Sequence, residues 1–219
     1  MHFYHTPLSA PCRAVTMTAK ALGLQLNEIF VDLQSGAQFQ PEFLKINPQH
    51  CVPTLVDGDL RLWESRAIMI YLVEQYGRKD DPLYPSCPKK RGLINQRLYF
   101  DADSLYKNFA EYFYSQIFYK KPANAELYQK LQSSLEFLNI FLSHSEYVAG
   151  DNLTLADLSI LATVTTIDMG QIDLVKYANI NRWYQSIRHT APGAAENWAG
   201  VLGYKKFIDN TTNYNVFNN

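Results

Sequence analysis

The chain has 219 residues, 47% of them hydrophobic and 19% charged, which describes a globular protein with room for two modest domains and a substantial core. Twenty basic against twenty-one acidic side chains leave a formal net charge of −1 with no basic run beyond Lys89-Lys90-Arg91, so nucleic acid is not an expected partner. Three cysteines, at 12, 51 and 87, match neither a disulfide framework nor a zinc cluster, and no stretch approaches the ~20 apolar residues that cross a bilayer. With no leader pattern at the start, the expectation is the cytosol, with the Asn-x-Ser/Thr triplets at Asn152 and Asn210 idle.

In chain order, His2-Phe3-Tyr4-His5 reads as a short strand broken by Thr6-Pro7, and Cys12 to Leu22 as a helix ended by Gly23. Ser9 then stands at or beside the N-cap. Its hydroxyl either caps an orphan N–H or, with the positive end of the helix dipole, seats an anion. Ser9-Ala10-Pro11-Cys12 has the spacing of the Cys-x-x-Cys redox turn with its first cysteine replaced. That turn forms no disulfide, but its hydroxyl can donate to a ligand's thiolate.

Glu28 to Leu33 reads as a second strand, completing a βαβ unit, and Pro41 to Ile46 as a short helix after a polar loop. Thr54 onward is a strand that turns at Asp57-Gly58-Asp59 into a partner at Arg61-Leu62-Trp63. A cis bond at Val52-Pro53 would leave the Val52 backbone outside the sheet. Glu64-Ser65-Arg66 opens a helix running to Tyr76 with Gly77 at its C′ position, and Ser65 is again either a cap or a carboxylate seat, with Glu64 placed to hold an ammonium group. His2 and His5 fall on opposite faces of their strand and do not form a metal pair, and His144 and His189 read as surface residues.

The proline-rich stretch up to Lys90 reads as a linker, after which strand signals stop. Arg91 to Phe118 is one long helical pattern with an apolar stripe through Ile94, Leu98, Ala102, Leu105, Phe109 and Phe113. A second stripe, Tyr106, Ala110, Tyr114 and Phe118, is either core or the roof of an apolar pocket. Glu126 to Leu142 is an antiparallel neighbour, Thr154 to Asp157 is a capping box, and Arg182 to His189 and Ala194 to Ile208 are further helices. The Asn-rich tail from Asp209 is expected to be mobile.

With Ser9-Ala10-Pro11-Cys12-Arg13, Asn47 to Leu55, Trp63 to Ile68, Asn95 to Asp101 and Tyr147 to Asp157 in this order, the sequence resembles the cytosolic glutathione transferases, and among them the insect delta class. The resemblance implies a thioredoxin-like α/β domain (1–78), a linker (79–90) and an all-helical domain (91–219), with two chains forming a homodimer. It places the Ser9 hydroxyl on the glutathione sulfur and pairs the backbone of Val52, before a cis Pro53, with the cysteinyl part. Glu64 and Ser65 take the γ-glutamyl end, and His50 lies near the glycyl carboxylate with Arg66 close by. Glutathione is the co-substrate, no metal is implied, and the electrophile is expected over Tyr106, Tyr114, Phe118 and Phe207.

The same sulfur would serve elimination, isomerase or peroxidase chemistry, and a non-catalytic carrier of the same fold is the alternative class. A thiol reductase using Cys12 is disfavoured because Ser9 leads the turn. Three departures from the delta pattern stand out: Gln38 in place of a frequent histidine, Leu8 in place of a glycine beside the serine, and Asp103-Ser104 in place of Gly-Thr near the expected pocket and subunit boundary.

Overall fold

A computed structural model describes residues 1–212. The chain begins with β1 (His2–His5), α1 (Ala10–Ala21) and β2 (Asn27–Phe30), a crossover unit whose two strands pair in parallel. After α2 (Pro41–Leu44), β3 (Thr54–Asp57) and β4 (Leu60–Trp63) form a hairpin across Gly58, whose φ of 59° suits a residue without a Cβ. The strands lie in the order β2-β1-β3-β4, with β1 and β3 antiparallel and Phe3 opposite Leu55. Period-two alternation sorts the first strand. Phe3 and His5 stack on one face at 4.9 Å, and Tyr4 turns to the other, edge-on to Phe43 of α2. His2 is exposed and His5 buried, as the alternation requires.

Helix α3 (Ser65–Tyr76) packs on α1, and both present their buried sides to the helical half of the molecule. Gly77 follows with φ −71°, so the left-handed C′ geometry expected there is not what requires a glycine. A Cβ would stand 2.5 Å from the Val73 carbonyl oxygen, and close approach is the reason instead.

The helical half comprises α4 (Pro88–Phe100), α5 (Tyr106–Ile117), α6 (Ala125–Phe141), α7 (Leu155–Met169), α8 (Ala178–Ile187) and α9 (Ala194–Thr212). Helix α4 starts three residues before the Arg91 expected from the linker composition, because Pro88 suits a first-turn position that needs no N–H donor. The single helix expected from Arg91 to Phe118 contains one wide π-type turn at Asp101–Leu105. The extra residue turns Asp101, fully buried, into the core, and leaves the apolar-stripe residue Ala102 only half-buried. Helix α7 is buried from Leu155 to Ile167 and forms the centre of this half, packed against α1, α4 and α9. Its start is fixed by Asp157, which accepts bonds from the Thr154 N–H and hydroxyl on one oxygen and from Val148 N–H and Trp183 Nε1 on the other, all 2.9–3.0 Å. The tail expected to be mobile continues α9 through Thr212, and its residues 213–219 lie outside the described residues.

Candidate active site at the start of helix α1

Ser9 is the N-cap residue of α1, with extended backbone (φ −81°, ψ 124°), yet its side chain makes no capping bond. An N-cap hydroxyl bonds the N–H of N2 or N3; here N2 is Pro11, which has none, and the side chain does not bond the Cys12 N–H at N3 either. The hydroxyl instead lies beside the Cys12 thiol. Cys12 is fully buried, and burial pushes its thiol up to about 11, more than the neighbouring Thr6 backbone, Ser9 and Arg13 lower it. It therefore stays a neutral thiol near pH 7, which removes the chemical basis for a reductase built on this turn.

Arg13, one turn into the helix, was given no role by its sequence context, and the structure makes it the clamp of the site. Its buried guanidinium donates to the Leu8 carbonyl at 2.8 Å, and more distantly to that of Pro7, which fixes the loop ahead of Ser9. The same group reaches Thr166 Oγ1 at 2.5 Å and the Ala162 carbonyl at 3.2 Å on α7, and Asn197 Oδ1 at 2.9 Å on α9. Desolvation lowers its pKa to about 10, which leaves it a cation throughout the neutral range. A fixed positive charge and a helix N-terminus thus stand together behind Ser9.

Ser9 opens onto a cavity of about 500 Å³ between the two halves of the molecule. Tyr106, Tyr114, Phe118 and Phe207, the four residues named for an electrophile pocket, all line it. The second aromatic stripe of the long helix is thus the wall of a cavity, with Phe118 against Phe207 at 6.2 Å and Tyr114 edge-on to Phe118 at 5.5 Å. Sequence reading missed Tyr204, which lies three residues before Phe207 on the same face of α9, a spacing that would have disclosed it. It also missed the polar mouth formed by Asp32 and Gln34. Leu8 is in the wall, and Gly203 gives it room, since a Cβ there would be 3.2 Å from Leu8 Cδ2. Asp103 and Ser104 do not line this cavity. Ser104 faces a separate polar cleft against α6.

The residues named for glutathione lie along the ends of β3 and α3. The Val52-Pro53 bond is cis, and β3 starts only at Thr54, which leaves Val52 outside the ladder. Asn47 braces this loop from beneath, bonding the Cys51 carbonyl at 3.0 Å and Thr54 Oγ1 at 2.9 Å. His50 is exposed, packs its ring against Phe39 at 4.9 Å, and holds φ 46°. Glu64 is exposed at the start of α3 with φ 69° and ψ 105°. Left-handed backbone at a non-glycine residue is costly and concentrates at functional positions, and two of the named residues carry it.

Ser65 is buried and accepts a 3.0 Å bond from Arg66 Nη1, while Arg66 Nη2 reaches Asp101 at 2.5 Å. Asp101 also accepts from Ser159 at 2.5 Å, so the π-type turn ties α3 to α7. The Arg66 guanidinium lies 5.9 Å from the Tyr106 ring centre, which links the two ends of the site. Gln38 is half-buried and donates only a long 3.4 Å bond to the Leu33 carbonyl. Among the described residues no group of three or more His, Cys, Asp or Glu side chains is placed to hold a metal ion, and no helix is long and apolar enough to cross a membrane.

A four-stranded thioredoxin-like layer with a serine at the start of its first helix, docked on an all-helical domain across an aromatic cavity, defines a two-domain protein with one site between its halves. Comparison with known proteins gives the family. Residues 1–74 match the glutathione S-transferase N-terminal domain and residues 97–190 the C-terminal domain. A delta-class glutathione transferase of Nilaparvata lugens is 47% identical with a TM-score of 0.92, covering 96% of this chain and 99% of its own. A Bombyx mori glutathione transferase is 38% identical (TM-score 0.89; 95% of this chain, 96% of that one). A Drosophila mojavensis homologue solved with bound glutathione is 32% identical (TM-score 0.89; 96% of each). The chain belongs to the glutathione S-transferase family, and the delta-class resemblance read from its motifs holds across nearly its whole length. It is an enzyme that conjugates glutathione, its co-substrate.

Proposed function

We propose that Ser9 stabilises the glutathione thiolate and that this sulfur attacks hydrophobic electrophiles held in the aromatic cavity. The observation that carries the reading is the double position of Ser9. Its hydroxyl makes no capping bond, and it stands in the wall of the cavity lined by Tyr106, Tyr114, Phe118 and Phe207. An ordinary thiol has a pKa of about 8.5, so attack near neutral pH requires that its anion be favoured. The Ser9 O–H, the N-terminus of α1 and the Arg13 cation all act in that direction. Ser9 then works as a hydrogen-bond donor, neither nucleophile nor base.

Glutathione would lie across the strained edge of the first domain. The backbone of Val52 before Pro53 meets its cysteinyl unit, Glu64 its γ-glutamyl ammonium and Ser65 the adjacent carboxylate, and His50 its glycyl end. Arg66 acts through Ser65, whose hydroxyl it orients. The domains divide at 78 and 91, and the protein works as a cytosolic homodimer. The test is a spectral titration of the bound thiolate in the native protein and in Ser9→Ala: a thiolate pKa unmoved by the substitution removes Ser9 from this role.

A further inference from the structure

Leu8 walls a second cavity besides the aromatic one, about 310 Å³ in volume and bounded by β1, β2, α1 and α9. Leu8, Ala199 and Gly203 give it an apolar floor, and carboxylates stand around it. Glu28 is in register with Phe3 on the neighbouring parallel strand, so its side chain shares the sheet face of Phe3 and His5. Glu196 faces the same cavity from α9 and is paired with Lys20 at 2.7 Å. His5 is 8% exposed, yet its Nδ1 is buried without a hydrogen-bond partner and its Nε2, 3.6 Å from the Glu28 carboxylate, is too far away to bond it. Burial lowers the His5 pKa more than Glu28 raises it, so the ring is neutral near pH 7 and leaves the Glu28 charge uncompensated. An anion would find no donor here. Arg13 borders the cavity, but its five N–H groups are committed to Pro7, Leu8, Ala162, Thr166 and Asn197.

We propose that this cavity is a binding site for aliphatic ammonium ligands, with Glu28 and His5 holding the cation and the apolar floor holding its chain. An ammonium placed about 2.8–3.0 Å from both His5 Nε2 and the carboxylate oxygen bridges the gap between them and donates one N–H to each. The imidazole proton then rests on Nδ1, and Nε2 accepts. A carboxylate ligand would face Glu28 and Glu196 with no free cation to meet it, and a neutral alcohol lacks the charge-assisted bond. The site is separate from that of the reaction, because Ser9 and the aromatic rings line the other cavity, and no covalent bond to the ligand is made or broken.

The probe is octylammonium, titrated calorimetrically into the native protein with the aromatic cavity filled by S-hexylglutathione, because Leu8 belongs to both walls. One molecule per chain is expected to bind, with octanol and octanoate each about tenfold weaker or more, as for loss of one charge-assisted hydrogen bond. Glu28→Gln, at a half-exposed position whose ion-pair neighbour is a neutral ring, should weaken the probe about tenfold or more and leave the thermal midpoint of the ligand-free protein unchanged. Native protein that does not bind the probe overturns the inference, as does octanol or octanoate binding as tightly, or Glu28→Gln binding within about twofold of native. Displacement of the probe by S-hexylglutathione would place it in the aromatic cavity and overturns the inference equally.

Discussion

Replacing Ser9 by alanine separates two roles that a serine at a helix start can have. If the hydroxyl capped α1, its loss would cost about 1 kcal/mol, a fall in Tm of about 2–4 °C for a chain of this size. The structure predicts no such loss, because Pro11 removes one capping donor and the side chain bonds none of the others. A hydrogen bond to a charged sulfur is worth about 1.5–3 kcal/mol, which corresponds to roughly one to two pK units. The bound thiol of Ser9→Ala should therefore titrate roughly one to two pK units higher than in the native protein, with its thiolate population and kcat/KM at pH 6.5 reduced by up to roughly tenfold to a hundredfold. The sign follows from removing a donor that favours the anion: the pKa rises, and the rate recovers as pH is raised through it. The assay is a pH profile of kcat/KM with a chloronitroaromatic, run beside thermal melts. A variant that melts several degrees lower with an unmoved pH profile would show that Ser9 is a cap after all.

Gly200→Ala should be strongly destabilising, by about 2–3 kcal/mol or more in urea unfolding, because the new Cβ would stand 2.4 Å from the Pro7 carbonyl oxygen and 2.5 Å from Arg13 Cδ, where both partners are fixed. Gly203→Ala meets only the end of Leu8 and should cost far less. Glu64→Gly relieves a left-handed residue and should raise stability by about 1 kcal/mol while increasing KM for glutathione, and a glycine variant with unchanged KM would remove Glu64 from the binding site. Alkylation by iodoacetamide near neutral pH should begin at Cys87, which is exposed and whose thiol the Lys90 and Lys89 N–H groups lower. Cys12 should react only on unfolding, and mass spectrometry of native protein labelled first at Cys12 would contradict the burial argument.

Local chemistry made much of this protein legible. Thr154 and Asp157 are three residues apart, and their bonds form because a helix start needs them whatever surrounds it. Strand alternation placed His2 outside and His5 inside, and the glycine between Asp57 and Asp59 made its hairpin. The aromatic stripe at Tyr106, Tyr114 and Phe118 showed that the long helix had two things to cover, but its period could not say whether the second was core or cavity. That was decided by α9, more than eighty residues further along the chain, which brings Tyr204 and Phe207 opposite.

The sequence alone determined the elements, their order and the family, because caps, turns, periodicity and ordered motifs are properties of near neighbours. Tertiary structure decided which of those residues act together. Arg13 looks like an ordinary helical arginine until α7 and α9 supply its acceptors, and Asp101 has no evident partner until the π-type turn brings it to Arg66 and Ser159. A buried charge has its meaning from groups that chain proximity does not specify, so the clamp behind Ser9 and the aromatic cavity in front of it became visible only once the two halves of the molecule had closed on each other.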